Sequence, residues 1–276
     1  MPEPSGRDPA RPRPAGGPTP FRIPLTPPQA VDSTSGLVWP PAQPRRTRAA
    51  PARTAGPGRP SRGLVLAPGA GSRAGGPLLA GIAAGLAAQG HPVVAFDFAY
   101  GEAGRARPDP APRLEAAWRD ALAAAVPILR ELGAQAGPPV LGGRSMGGRI
   151  AMHLVAQGEP CAGLALLGYP LHPPRRPGAG GAPPADRLRT AHWPDLRVPV
   201  LFVQGDRDAL CDLDLLGHER VRLGRGDSRV HVLAGADHGF RPRGGHGSPA
   251  REAGRDMLAE VVDAVAGWLD GLPEGP

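Results

Sequence analysis

Residues 140–149 read VLGGRSMGGR, and this stretch decides the fold. It contains the pattern Gly-x-Ser-x-Gly as Gly143, Ser145 and Gly147, between an apolar run typical of a buried strand and a segment with helical periodicity. A serine in such a strand-to-helix turn has strained backbone angles, and its hydroxyl stands above the sheet edge at a helix N-terminus. The pattern favours Ser145 as a nucleophile, with an N-capping serine in a glycine-rich turn as the alternative.

On both sides of this turn, apolar runs of strand length alternate with segments of helical periodicity. Continuous apolar runs are expected of strands that are buried on both faces of a parallel sheet. The order predicts a three-layer α/β fold of about six mostly parallel strands with helices on both faces. The predicted strands are 63–67, 92–98, 139–143, 163–167, 198–204 and 229–234, and the predicted helices are 78–89, 112–129, 146–157, 212–221 and about 254–269.

Acidic residues follow the fifth predicted strand, and a histidine follows the sixth. An activated serine needs a base within hydrogen-bond reach and a group that fixes the tautomer of that base. Because the carboxyl ends of parallel strands meet at one edge of the sheet, we expect Ser145, Asp208 and His238 to lie together. Asp208 suits the fourth position of a Gly-x-x-Asp turn, and Asp206 is interpreted as a cap of that turn or a partner of Arg207.

Three other histidines compete with His238 for the role of base. His231 falls inside a predicted strand, His218 lies in the middle of a predicted helix, and His246 belongs to a glycine-rich loop. His238 directly follows a strand end, as the serine and the acid do, so His238 is the predicted base.

An oxyanion hole requires two backbone N–H groups, each worth ~3 kcal/mol to the transition state in a dry pocket. One is expected from Met146, the residue after the nucleophile. The other is expected from Ala70, in the loop 68–71 after the first predicted strand, where small residues let the backbone approach a substrate. An ordinary turn or a phosphate nest is the alternative, but no Gly-Lys-Ser/Thr follows to indicate a P-loop.

The segment 168–194 breaks the alternation of strands and helices, because it is rich in proline and glycine and longer than a usual connection. We interpret it as a lid-like loop which, with the loop 100–107, shapes the acyl and alcohol pockets. Arg105, Arg107 and Arg144 are candidates for binding a substrate carboxylate, with solvated or structural arginines as the alternative. The side chains expected around the pocket are Tyr100, Arg144, Tyr169 and His172.

The first 62 residues contain 16 prolines and 6 glycines and too few large apolar side chains to bury a core. They predict a disordered arm over 1–60, followed by a single domain over 61–272. The net charge of +7 arises in this N-terminal part, since it has ten arginines and three acids, while the rest of the chain has 22 of each. The domain is therefore neutral, and the arm lacks aromatic residues interleaved with its arginines for base stacking, which argues against nucleic-acid binding.

The remaining composition bears on the environment of the protein. All 32 basic residues are arginine, which indicates a bacterial genome of high GC content. No secretory leader and no apolar run of ~18 residues is found, so we expect a cytoplasmic protein without a membrane partner. Cys161 and Cys211 match no metal spacing, and no disulfide is expected. The predicted chemistry requires neither a metal nor an organic cofactor, and the oligomeric state is left open.

Together these stretches resemble the α/β-hydrolase superfamily, in its dienelactone-hydrolase-like group, and most closely bacterial hydrolase-like proteins related to the animal testis-expressed and NSL-complex hydrolase-like domains. The resemblance covers about 63–269. Many hydrolases have His-Gly where this chain has Pro68-Gly69, which alters a side chain near the site but keeps the backbone donor. The matching stretches are 66–71, 100–119, 142–149, 168–174, 203–208 and 237–238.

The resemblance implies a serine hydrolase that cleaves a small ester, thioester or related acyl substrate through Ser145, His238 and Asp208. Some relatives of the animal domains act as scaffold subunits. The second hypothesis is therefore a hydrolase-like protein-interaction module without turnover.

Overall fold

Eight strands form one sheet in the computed structural model, which describes residues 17–42, 61–174, 185–224, 227–242 and 248–273. Their spatial order is β1-β2-β4-β3-β5-β6-β7-β8, in which β3 to β8 run parallel and β1 and β2 run antiparallel to their neighbours. The strands are β1 Thr19–Pro24, β2 Ser33–Trp39, β3 Leu64–Ala67, β4 Val93–Phe96, β5 Val140–Arg144, β6 Gly163–Leu167, β7 Val200–Gly205 and β8 Ser228–Leu233.

Helices cover both faces of the sheet, and the predicted three-layer α/β fold is confirmed. The central strands are buried on both faces, which explains their continuous apolar runs. One apolar core, around Phe96 and Trp118, lies under α3 and α4, and the other, around Leu86 and Trp268, lies under α1 and α6. The helices are α1 Pro77–Ala88, α2 Ala99–Glu102, α3 Ala111–Glu131, α4 Met146–Ala156, α5 Leu213–Glu219 and α6 Ser248–Asp270.

The segment 17–42 corrects the prediction of a disordered arm over 1–60, because it forms the hairpin of β1 and β2 and brings the sheet from six strands to eight. β2 pairs with β4, and Leu37 lies opposite Ala95. Ile23 is fully buried. The other residues of the predicted arm, 1–16 and 43–60, lie outside the described part of the chain.

Polar contacts also join the hairpin to the domain. The Thr34 hydroxyl is buried and donates to the carbonyl oxygen of Asp97 at 2.8 Å. The backbone N–H and the hydroxyl of Thr26 both donate to the carboxylate of Asp120, at 2.8 Å and 2.7 Å. These partners are distant in the sequence, so local composition gives no sign of the pairing.

Two further features of the described residues concern the environment of the protein. None of the helices in this part of the chain is both long and apolar enough to cross a membrane. Cys161 and Cys211 are both free thiols, and burial raises the pKa of the Cys161 thiol to about 12.

Candidate active site

Ser145 lies in a tight turn between the end of β5 and the start of α4. Its backbone has φ 49° and ψ −113°, and among the described non-glycine residues only Phe240 shares a positive φ. A Cβ atom on Gly143 or Gly147 would lie 2.2 Å or 2.4 Å from the carbonyl oxygen of Ala67. The turn therefore packs directly on the end of β3, and neither position accommodates a side chain.

His238 bridges the serine and the acid. Its Nε2 lies 3.0 Å from the Oγ of Ser145, and its Nδ1 lies 2.7 Å from the Oδ2 of Asp208. The Asp208 side chain is fully buried, whereas a quarter of the His238 side chain is exposed. The structure thus brings together the three residues that the sequence predicts, in the geometry that a serine nucleophile, its base and an orienting carboxylate require.

The turns after β7 and β8 contact each other, and this contact joins the acid to the histidine. The backbone N–H of Arg207 donates to the carbonyl oxygen of Ala236 at 2.9 Å. A Cβ atom on Gly205 would lie 2.3 Å from that same oxygen, so a glycine is needed at this close approach. The 30 residues that separate Asp208 from His238 are bridged because β7 and β8 are neighbours in the sheet.

Gln204 holds Asp208 and was not identified from the sequence. Its Nε2 donates at 2.5 Å to the Oδ2 of Asp208, the oxygen that also faces His238. The backbone N–H of Leu210 donates to the other carboxylate oxygen at 2.8 Å. Gln204 is fully buried. A polar residue at the end of the otherwise apolar strand 198–204 is the signal that could have revealed it.

The competing residues lie elsewhere. Asp206 accepts a hydrogen bond from the backbone N–H of Gly235 at 2.8 Å, so it caps the turn after β8 rather than its own turn. His231 faces Glu260, with 2.9 Å between Nε2 and the carboxylate. His218 is exposed in α5, and His246 lies outside the described residues.

The loop after β3 lies against the nucleophile. A Cβ atom on Gly69 would be 3.4 Å from the Cβ of Ser145, so the backbone next to Ala70 closely approaches the serine. The N–H of Gly71 faces the Tyr100 hydroxyl at 3.4 Å. Ala70 is exposed, and the Met146 side chain is buried at the start of α4. Both predicted oxyanion donors therefore lie on backbone that adjoins Ser145.

Asp97 fixes this loop, and it is a second residue that the sequence analysis missed. Its Oδ1 accepts a hydrogen bond from the backbone N–H of Ala74 at 2.6 Å, and Arg73 lies 3.2 Å from its Oδ2. Burial raises the pKa of this carboxyl, and the Ala74 N–H and the Arg73 charge oppose that rise. Tyr100 is also buried, and its burial raises the pKa of the phenol, so it remains protonated near neutral pH.

Tyr169 and His172, two residues expected around the pocket, have their polar atoms engaged within the protein. The Tyr169 hydroxyl donates to the carbonyl oxygen of Arg189, and Trp193 packs against its ring. His172 Nδ1 lies 2.8 Å from the carbonyl oxygen of Pro173, and its Nε2 accepts from the N–H of Asp212 at 3.2 Å. Both side chains are 1% exposed. They stabilise the ends of the lid-like loop and present no free polar group to a substrate.

The lid-like loop is described at 168–174 and from 185 onward, and its middle lies outside the described residues. Gly168, at its start, is close to the base, because a Cβ atom there would be 3.7 Å from the His238 ring. The Trp193 side chain, near its end, is fully buried against Phe202. Both described ends are therefore anchored to the sheet beside the site.

The three candidate arginines differ in their surroundings. Arg105 pairs with Asp109 at 2.8 Å, and Arg107 is exposed. Arg144 is half-buried next to Ser145, and its Nη2 donates to the carbonyl oxygen of His238 at 3.3 Å. Burial lowers the pKa of Arg144, as does the positive charge of Arg241. Arg144 is the one candidate of the three that contacts the residues of the site.

A comparison with protein families identifies a group to which this chain is similar. The profile of a family described as alpha/beta hydrolase domain matches residues 60–270, most of the chain. The chain belongs to this alpha/beta hydrolase family. In this alpha/beta hydrolase, the turn at Ser145 lies between the central parallel strand β5 and the helix α4 that follows it.

Solved structures with the same fold include serine hydrolases and esterases. An alpha-beta serine hydrolase homologue from Coxiella burnetii has a TM-score of 0.61 at 15% identity, over 90% of this chain and 97% of its own. A serine hydrolase without a lid from Xanthomonas campestris has a TM-score of 0.59 at 17% identity, over 94% and 97%. A cold-adapted esterase from an Arctic intertidal metagenomic library has a TM-score of 0.54 at 17% identity, over 92% of each chain.

Proposed function

We propose that this alpha/beta hydrolase cleaves a small ester, thioester or related acyl substrate through a covalent acyl-enzyme. The observation that carries the proposal is the position of His238, with Nε2 3.0 Å from the Ser145 hydroxyl and Nδ1 2.7 Å from the Asp208 carboxylate. A module that only binds a protein partner has no need of this alignment. Family membership supports a hydrolase, and the residues of the site are the basis for the type of chemistry.

In the first half of the proposed reaction, Ser145 Oγ attacks the acyl carbonyl while His238 Nε2 takes the serine proton. The Asp208 carboxylate keeps the remaining proton on Nδ1 and stabilises the imidazolium that forms. The tetrahedral intermediate collapses when His238 returns its proton to the leaving alcohol or thiol, and the acyl group stays on Ser145.

The oxyanion of each tetrahedral intermediate is proposed to accept hydrogen bonds from the backbone N–H groups of Ala70 and Met146. The position of the Gly69 backbone supports this assignment, because a Cβ atom built there would lie 3.4 Å from the Cβ of Ser145. In the second half, His238 removes a proton from a water molecule, the resulting oxygen attacks the acyl carbon, and Ser145 is released with its proton restored.

The direct test is labelling of the full chain with a fluorophosphonate probe, followed by steady-state hydrolysis of p-nitrophenyl esters of increasing acyl length. We expect covalent labelling of the wild type, none of Ser145→Ala, and turnover of short-chain esters. A folded wild-type protein that reacts with no serine-directed probe and hydrolyses no ester or thioester would refute the proposal and favour the interaction module.

The proposal also includes the subgroup, the cellular location and the binding partner of the protein. We propose a position in the dienelactone-hydrolase-like group, near the bacterial relatives of the animal domains, and a cytoplasmic location, which the two free thiols support. The proposed partner is a small-molecule acyl substrate rather than a nucleic acid or a membrane. Apart from the substrate and water, the proposed mechanism uses only side-chain and backbone groups of the chain.

A further inference from the structure

A cavity of about 350 Å³ lies beside the loop after β3. Small-molecule sites typically measure ~300–1,000 Å³, so it can hold a short acyl or alcohol group. Gly69 and Arg144 border it beside Ser145, Gly239 borders it beside His238, and Leu79 at the start of α1 lines it as well. The cavity is thus lined by the residue that directly precedes Ser145 and the residue that directly follows His238 in the chain.

Three arginines line this cavity, and their charges are compensated to different degrees. Arg73 lies 3.2 Å from the Asp97 carboxylate and 3.6 Å from that of Glu102, so its charge is balanced by the protein itself. In contrast, neither Arg144 nor Arg241 has a carboxylate within 4.0 Å in the described part of the chain.

The carboxylates of Asp237 and Asp208, whose charges act on Arg144, accept hydrogen bonds from other groups. The Oδ1 of Asp237 accepts the backbone N–H groups of Gly239 and Arg241, at 2.7 Å and 2.9 Å. The Asp208 carboxylate faces His238. Arg144 and Arg241 therefore retain N–H donors that neither carboxylate occupies.

The two guanidinium groups also repel each other. Arg144 is half-buried, and both its burial and the charge of Arg241 lower its pKa, while the charges of Asp208 and Asp237 oppose that shift. Each of two like charges in one cavity disfavours the charged form of the other, and an anion bound between them reduces this repulsion. Guanidinium groups bind carboxylates and phosphates well, because their planar N–H donors match the geometry of the anionic oxygens.

The Arg144 guanidinium is close to the reacting groups. A Cβ atom on Gly69 would lie 3.0 Å from Arg144 Nη1 and 3.4 Å from the Cβ of Ser145. Arg144 Nη2 donates to the carbonyl oxygen of His238 at 3.3 Å, a long contact that uses one of its five N–H groups. An anionic group on Arg144 would thus lie only a few bonds from an acyl carbon at Ser145.

We propose that this cavity is an anion subsite, in which Arg144 and Arg241 bind a carboxylate or phosphate group carried by the substrate. The inference rests on the proposed hydrolase function and narrows it to acyl substrates with an anionic group near the scissile bond. Arg73 also lines the cavity, but its charge is already paired with Asp97 and Glu102. We therefore expect Arg144 and Arg241, and not Arg73, to bind the anionic group.

The test compares matched anionic and neutral substrates on the full chain. In one pair, the p-nitrophenyl monoester of glutarate has a carboxylate on its acyl group, and p-nitrophenyl pentanoate is its neutral counterpart. In the other pair, 4-acetoxybenzoate has a carboxylate on its leaving group, and phenyl acetate is its neutral counterpart. We expect the wild type to show a higher kcat/KM for the anionic member of at least one pair.

The decisive quantity is the ratio of the two kcat/KM values. In Arg241→Gln we expect this ratio to fall about tenfold, as for the loss of a charge-assisted hydrogen bond, and Arg144→Gln should lower it as well. Arg229→Gln is the matched control, because it removes the same charge from an exposed position on β8 and should preserve the ratio. Ratios in Arg241→Gln and Arg144→Gln that equal the wild-type ratio for both pairs would overturn the proposal.

A binding measurement separates the subsite from the chemistry. Calorimetric titration of Ser145→Ala with glutarate and with inorganic phosphate should show binding of at least one anion, which weakens when Arg241→Gln is added. The stronger binder indicates whether carboxylate or phosphate is preferred. Binding without turnover would refute the hydrolase proposal alone, whereas turnover without anion binding or anion preference would refute the subsite alone.

Discussion

Different interactions stabilise the turns at the C-terminal ends of the parallel strands and the hairpin 17–42. The turns around Ser145 and His238 combine positive φ angles with polar contacts to buried groups such as Asp208. The hairpin relies on strand pairing with β4 and on apolar burial of residues such as Ile23. Substitutions of the polar side chains at the site should therefore affect chemistry far more than stability, and substitutions of buried side chains in the hairpin should do the reverse.

The sharpest test of this contrast is Ser145→Ala. We expect a loss of ~10³- to 10⁶-fold in kcat for any ester that the wild type hydrolyses, because the nucleophile is removed. The free energy of unfolding, measured by urea denaturation, should change by less than ~1 kcal/mol, since the hydroxyl is not required for packing. A Ser145→Ala protein with wild-type kcat would contradict the assigned nucleophile.

The two acids after β7 allow a matched comparison within one turn. Asp208→Asn should lower kcat ~10⁴-fold, because the amide no longer holds His238 in the required tautomer. Asp206→Asn should cost less than ~10-fold, because Asp206 caps a turn and does not contact His238. Kinetics on one ester decide the point, and equal losses in the two variants would show that the acid is wrongly assigned.

In the hairpin the expected order of effects is reversed. Ile23→Ala should lower the free energy of unfolding by about 2–4 kcal/mol, because a fully buried side chain is truncated and leaves a cavity. Val232→Ala, at a side chain that is 43% exposed on β8, should cost less than ~1 kcal/mol. If urea denaturation gives the two variants the same stability, the hairpin does not contribute to the folded domain as described.

The smallest expected effect concerns the end of the lid-like loop. Burial lowers the pKa of His192 to about 3, and the charges of His153 and Arg149 contribute. As pH falls below ~6.5, the unfolded chain binds a proton that the folded chain does not, so the free energy of unfolding decreases towards pH 3.

Removal of this histidine should reduce the acid sensitivity. Between pH 7 and pH 5, His192→Gln should lose about 1 kcal/mol less stability than the wild type. His218→Gln, at an exposed position in α5, should behave as the wild type does. Denaturation curves at the two pH values provide the measurement, and an unchanged pH dependence in His192→Gln would contradict the assigned burial effect.

Much of the site was predictable because its residues follow strand ends in a parallel sheet. Ser145, Asp208 and His238 each occupy a turn with a recognisable local pattern, and the topology brings such turns to one edge. Gln204 and Asp97 were missed because each acts through a contact that the local sequence does not reveal. Gln204 reaches the acid from within its own strand, and Asp97 binds a loop 23 residues earlier in the chain.

The sequence by itself determined the strand and helix order of the parallel core, the α/β class and the three residues that lie together in the candidate site. These features depend on local apolar periodicity and on turn residues, which are properties of short segments. Tertiary structure alone decided the hairpin pairing, the burial of Tyr169 and His172, and the sharing of one cavity by Arg144 and Arg241. Those outcomes depend on contacts between distant segments, whose energies no local pattern contains.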